Sequence, residues 1–187
     1  LWDAQAWYGG DINRFVFKYE GEGEFRGPLD ALELSALYSR AIDPYWNLQA
    51  GIRYDPKPDP SRTYAVIAVE GLAPYWFDVQ LTGYVGTDGR LAARAKASYE
   101  VLFTNRLILT PQVETNIYSK RSSDRQLGSG FSNVELSGRL RYEVSRKFAP
   151  YIGFVWERAF DGTADFRRLR REGPSEHRLV IGLRAWW

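Results

Sequence analysis

Polar and apolar residues alternate along most of this chain, and Pro-, Gly- and Asp-rich stretches break the alternation at intervals. A period of two places successive side chains on opposite faces of a strand. The first clear run sets Arg14, Val16, Lys18 and Glu20 against Phe15, Phe17 and Tyr19. The contrast recurs near residues 29–42, 46–55, 63–70, 77–85, 93–101, 109–117, 134–144, 152–159 and 177–187. About ten strands are therefore predicted, and helical spacing is not sustained anywhere long enough to compete. Residues 1–11 show no clear period and read as a lead-in. The register blurs over Leu37, Tyr38, Ser39 and Arg40, where a bulge is expected. Pro111 cannot donate to a ladder and predicts a bulge or a local break in the seventh run.

The connections differ in length. Those around Asp43-Pro44, Ala73-Pro74, Thr104-Asn105 and Arg146-Lys147 are short. Those after the first, third, seventh and ninth runs are longer and polar, including 21–28, 55–61, 119–130 and 160–176, while the turn after the fifth run, at Thr87-Asp88-Gly89, is a short exception. Short turns on one rim and long loops on the other is the arrangement of an outer-membrane barrel, with the short turns periplasmic. Both termini are then expected at the short-turn rim. Aromatic residues gather at strand ends. Tyr45, Trp46, Tyr75, Trp76, Phe77, Phe103, Phe148, Tyr151, Trp186 and Trp187 fall at short-turn ends. Tyr19, Tyr54, Tyr64, Tyr84, Tyr118 and Phe160 fall at the others. Two such bands suit the interfacial girdles of a membrane barrel.

The polar face of the runs is charged with both signs. Arg14, Lys18, Arg53, Arg94, Lys96, Arg139, Arg141, Arg178 and Arg184 share it with Glu20, Glu33, Asp55, Glu70, Asp78, Glu100, Glu114, Glu135, Glu143 and Glu157. Turning that face into the core of a soluble barrel would desolvate many ion pairs, which is costly. The fold class expected is all-β: one domain over residues 1–187, a transmembrane antiparallel up-and-down β-barrel with lipid on the apolar face. The near balance of signs predicts a narrow lumen crossed by salt bridges. A soluble sandwich is the alternative.

Composition adjusts this picture only slightly. The 187 residues carry 25 Lys and Arg against 23 Asp and Glu, a net charge of +2 that points to no nucleic-acid partner. Mean hydropathy is −0.41, an average in which lumen residues cancel lipid-facing ones. No apolar run is long enough for a membrane helix. There is no cysteine and no methionine, so soft thiolate and thioether ligands are absent, and a processed or partial chain is expected.

Several phrases are more specific than the pattern. They are Trp2-Asp3-Ala4-Gln5-Ala6-Trp7-Tyr8-Gly9-Gly10-Asp11, Leu37-Tyr38-Ser39-Arg40-Ala41-Ile42, Leu48-Gln49-Ala50-Gly51-Ile52-Arg53, Gly71-Leu72-Ala73-Pro74-Tyr75-Trp76-Phe77, Phe148-Ala149-Pro150-Tyr151 with Trp156-Glu157-Arg158, and Leu183-Arg184-Ala185-Trp186-Trp187. Together they resemble the outer-membrane copper resistance protein B family, over essentially the whole chain. The resemblance implies a Gram-negative outer-membrane protein that binds copper ion and contributes to copper resistance, with movement of copper across the outer membrane as a further step. It also implies a Met- and His-rich leader before the barrel, holding most of the copper ligands and absent from these residues. The partners implied are outer-membrane lipid, lipopolysaccharide and periplasmic copper-binding proteins.

The residues themselves nominate chemistry sparingly. Arg14, Lys18, Arg53, Glu70, Asp78, Arg94, Glu114, Arg139, Glu157 and Arg184 are the candidate lumen-lining residues. Of these, Glu70, Asp78, Glu114 and Glu157 could form a weak path for a hydrated cation, of a kind that favours Cu(II) over Cu(I). His177 is the one histidine and the single weak metal-ligand candidate; a loop-end histidine beside water is the plainer reading. No catalytic residue is nominated. Glu176 and His177 suggest an outer-rim hydrolase, but adjacent strand residues point to opposite faces. Arg167, Arg168, Arg170 and Arg171 could meet anionic lipopolysaccharide or stand as a solvated charge run. A structural or adhesive barrel acting through its long loops is the alternative function.

Overall fold

The computed structural model describes residues 2–23, 29–122, 128–145, 147–169 and 173–185. Within them lie β1 (Trp2–Gly9), β2 (Asn13–Gly23), β3 (Leu29–Asp43), β4 (Trp46–Lys57), β5 (Arg62–Ala73), β6 (Phe77–Gly86), β7 (Leu91–Ser98), β8 (Val101–Leu102), β9 (Leu107–Tyr118), β10 (Gly130–Tyr142), β11 (Phe148–Ala159), helix α1 (Asp161–Leu169) and β12 (Ser175–Ala185). All belong to one sheet except α1. Consecutive strands pair antiparallel, except that β7 and β8 each pair with β9 and not with one another. This is an up-and-down meander.

The sheet is rolled. Lys18 on β2 reaches Glu70 on β5 at 3.2 Å, three strand positions away. Arg94 on β7 reaches Glu33 on β3 at 3.3 Å, four positions away. Contacts at those separations exist only if the wall curves round its polar face. The outer face is apolar and bare: Ile52, Ile67, Leu81, Ile152 and Phe154 are all exposed. Buried groups lie on the inner face and are mostly small or polar, including Ser39, Gln49, Asp55 and Thr82. One apolar cluster, Val16, Leu37 and Val66 with Tyr84 against it, also sits inside.

The ten predicted runs coincide with ten strand positions, and the structure adds an eleventh. Residues 2–9 form β1, paired with β2 from Trp2↔Gly21 to Gly9↔Arg14. Its inner positions include Trp7 and its outer positions Ala4 and Ala6, so size and polarity do not contrast and the period is hidden. β1 also reverses one expectation. The turn into β2 lies at the short-turn rim, where the Ala41 amide donates to the Ile12 carbonyl at 2.8 Å. Trp2 is therefore at the long-loop rim, not the short-turn rim. A second difference is α1, a helix inside the last long connection.

The irregularities have local causes. Leu37 to Arg40 is unbroken strand; it reads as irregular only because Leu37 faces inward and Arg40 outward. The shifts in β3 lie instead at its ends, between Leu32 and Leu34 and between Ala41 and Asp43. Pro111 remains within β9, and the break falls on its neighbour. Pairing stops after Ser98↔Gln112 and resumes at Val101↔Leu109 in the same register. Tyr99 still donates to the Pro111 carbonyl at 3.1 Å. In an antiparallel pair a residue's nitrogen and carbonyl point to the same neighbour, so proline's missing donor faces that interruption.

Candidate functional site

The inner face holds a polar network built in layers. In the half nearer the long loops, Glu33 is shared by two guanidiniums, Arg53 at 2.6 Å and Arg94 at 3.3 Å. Arg53 also binds Asp55 at 2.6 Å through Nε, and its second hydrogen bond to Asp55 makes the pair bidentate. Its guanidinium stands 4.9 Å from the Tyr84 ring and 5.6 Å from the Tyr64 ring. Arg94 adds Glu114 at 3.3 Å, Glu20 at 3.7 Å and the Asn116 side-chain oxygen at 3.0 Å. Carboxylates on β2, β3, β4 and β9 thus converge on two arginines on the inner face.

Nearer the short turns, Glu70 accepts from both Lys18 and Gln49. Close to that rim Arg141 binds Glu100 at 2.7 and 3.1 Å and approaches Glu143 at 3.6 Å. The Arg139 guanidinium lies 5.9 Å from the Tyr151 ring.

Strand register places all ten candidate lining residues on this face. Arg14 aligns with Ser39, Lys18 with Ser35, and Arg53 with Tyr64. Glu70 aligns with Gln80, Asp78 with Ser98, and Arg94 with Asn116. Glu114 aligns with Glu135, Arg139 with Gly153, Glu157 with Glu176, and Arg184 with Ala149. The rolled sheet brings Lys18 to Glu70 and Arg94 to Glu114, while Asp78 lies within electrostatic reach of Glu70 and Lys18, and Arg184 of Glu100.

Two features were not nominated from the sequence. One is the sharing of Glu33; nothing in spacing pairs residues separated by sixty-one positions. The other is a row of four carboxylates, Glu114, Glu135, Glu157 and Glu176, directly opposite one another on β9, β10, β11 and β12. Arg178 serves three of them, at 3.7 Å from Glu135, 3.3 Å from Glu157 and 3.6 Å from Glu176. The row was readable only as four separate acidic positions, each on its own strand.

His177 turns out to face the other way. It aligns with Trp156 on the outer wall, is exposed, and stacks on Phe154 with ring centroids 5.7 Å apart. Glu176, one residue earlier, is on the inner face, so the two cannot act on one substrate atom. Among the described residues no group of three or more His, Asp or Glu is placed to hold a metal ion. The aromatic bands also divide. Tyr75, Trp76, Phe103 and Phe148 are exposed at the short-turn rim. Tyr64, Tyr84 and Tyr118 face inward, as does Tyr151, because they share rows with Arg53, the buried Val66, Ala92 and Arg141. Trp186, Trp187, Arg146, Arg170, Arg171 and the side chain of Arg167 lie outside the described residues. Arg168 lies on α1, 3.2 Å from Asp165.

Residues 1–187 match the family described as copper resistance protein B precursor (CopB). The chain belongs to the copper resistance protein B family. Two relatives agree. One, copper resistance protein B of Escherichia coli, is 42% identical over 188 residues covering 100% of this chain and 62% of its own length. The other, a copper resistance protein B homolog of Pseudomonas syringae pv. tomato (strain ATCC BAA-871 / DC3000), is 42% identical over 186 residues and covered to 63%. The chain thus spans a little over three fifths of the length of each of these two relatives. The NanC porin, solved in a rhombohedral crystal form, superposes with a TM-score of 0.61 at 13% identity over 99% of both chains. That likeness concerns the fold alone, and it is the fold of the family member described here.

Proposed function

We propose that this protein resides in the outer membrane and contributes to copper resistance by binding copper weakly along its narrow charged lumen and letting it cross. The observation that carries the reading is the row Glu114, Glu135, Glu157 and Glu176 on the inner face. The row sets four carboxylates side by side, with Arg178 shared by three of them and Arg94 bound to Glu114, and adjacent acids attract cations. Oxygen ligands suit Cu(II) or a hydrated divalent ion better than Cu(I), and soft ligands are absent from the chain. A row spread over four strands fits passing contact. Membrane residence is supported by the apolar outer wall, the exposed aromatics at the short-turn rim and the charged interior.

The test is Cu(II) entry into liposomes carrying the purified full-length protein, beside copper accumulation in cells with and without it. Faster Cu(II) entry than into empty liposomes, lowered by Glu135→Gln with Glu157→Gln, supports conduction. Equal entry with and without the protein, and unchanged cell-associated copper on deletion, would leave a structural or adhesive barrel as the better account. Residence itself is read from a denaturing gel, where a membrane barrel migrates differently before and after boiling.

A further inference from the structure

The two edges of the sheet do not complement one another. β7 and β8 occupy a single position, so among the described residues the sheet has eleven positions from β1 to β12. Every neighbouring pair is antiparallel. An odd number of alternating strands leaves the first and last running in the same direction. β1 descends from the long-loop rim to the short-turn rim, and so does β12. Direct closure would need a parallel pair inside an otherwise antiparallel wall.

Exposure marks the same seam. Tyr8 on β1 is 81% exposed, while Phe15, aligned with it on β2, is 54% exposed. Ile181 on β12 is 81% exposed, while Ile152, aligned with it on β11, is 52% exposed. Residues on the outer wall lose comparable area to each flanking strand, so an excess at both edges means one neighbour is missing from each. Trp7 is 64% exposed although it shares the inner row of Val16, which is 1% exposed. The bore is open beside β1.

We infer that the seam is filled by one further strand, supplied by the residues immediately ahead of Leu1 in the longer protein. It would rise from the short-turn rim between β12 and β1, antiparallel to both, and turn into β1 at the long-loop rim. Three observations favour this occupant over a second copy of the chain. A single strand satisfies both edges at once and makes the count even, as antiparallel closure requires. Trp2 already stands at the long-loop rim, so a preceding segment that starts on the periplasmic side must cross the wall to join it. The relatives are longer than the matched region, which covers 62% and 63% of them. In hydrocarbon, unpaired edge amides and carbonyls have no water to turn to, so the seam cannot stay open. This last argument rests on membrane residence; the pairing itself does not. The strand should match the 8 residues of β1 and 11 of β12 in length. It should be apolar at alternate positions, to continue the outer wall of Ala4, Ala6 and Tyr8 on one side and Leu179, Ile181 and Leu183 on the other.

Disulfide scanning in the full-length protein tests this. One cysteine is fixed at Ala6→Cys or Ile181→Cys, and the second moves through about twelve residues ahead of Leu1, enough for a spanning strand and a turn. These 187 residues contain no cysteine of their own. Expected are intramolecular disulfides at alternate scanned positions with both fixed sites. Moving the first site from Ala6 to Ala4 should shift the paired position toward Leu1, the mark of a hairpin. An Ala6→Cys–Ile181→Cys bond within one chain, without bonds to the scanned segment, would overturn the inference because the edges would then meet directly. Bonds between molecules would overturn it in favour of a second copy. If the cysteine variants do not assemble, amide exchange on the unmodified full-length protein decides. Protection of that segment equal to β1 and β12 supports the added strand, and rapid exchange refutes it. The boiling-dependent gel shift reads membrane residence separately, so the two failures are distinguishable.

Discussion

The Glu33 carboxylate on β3 meets the Arg94 guanidinium on β7 at 3.3 Å, spanning the interior between strands that share no ladder. Glu33 keeps Arg53 at 2.6 Å when Arg94 is lost, so Arg94→Ala removes a cross-brace without stranding the acid. The cost should be about 1–3 kcal/mol, nearer a charged hydrogen bond than a fully orphaned buried charge. Single-channel conductance in a planar bilayer should rise, because the side chain that binds Glu20, Glu33 and Glu114 together is gone. Arg94→Lys should fall between, since an ammonium cannot reach as many partners.

The carboxylate row should set ion preference. Removing one charge at about 6 Å from a passing cation forfeits about 0.7 kcal/mol even at the dielectric of water, roughly threefold. Glu135→Gln with Glu157→Gln should therefore lower the cation-to-anion permeability ratio at least threefold, measured as reversal potential in a salt gradient. The amount of folded protein should not change. An unaltered reversal potential would separate the row from conduction.

His177→Ala should leave copper tolerance of the cells and copper retained by the purified protein unchanged, because the imidazole stacks on Phe154 outside the bore. The expected loss is only the stacking, about 0.5–1 kcal/mol of stability. A fall in bound copper with this one substitution would restore His177 as a ligand.

Glycines test the shape of the wall. At Gly51 a Cβ would run into the Ala36 carbonyl oxygen and lie 2.8 Å from the Leu37 Cα, backbone atoms that cannot swing aside. Gly51→Ala should destabilise the barrel by about 1–3 kcal/mol. At Gly138 the nearest atom is the Leu109 Cδ1 at 4.0 Å. Gly138→Ala should stay within about 0.5 kcal/mol. The midpoint of the boiling-dependent gel shift against temperature reads both.

Much of the architecture is determined by sequence alone, because a strand's facing rule acts between neighbours in the chain. Arg14, Lys18, Arg53, Glu70 and Glu157 could be assigned to one face by counting, as could the antiparallel order and the alternation of turn lengths. β1 escaped because Trp7 faces inward and Ala4 and Ala6 outward, so the side chains that should announce a face do not. The inward turn of Tyr64, Tyr84 and Tyr118 was lost to a rule about strand ends, although each sits on a polar row. Tertiary structure alone decided which charges meet. Glu33 with Arg94, Lys18 with Glu70, and the alignment of Glu114, Glu135, Glu157 and Glu176 depend on ladder register and on curvature. Those are set by bulges, turns and packing summed over many strands, and no local pattern carries them. The parity of the wall is of the same kind, since one unrecognised strand reverses the rim at which the chain enters.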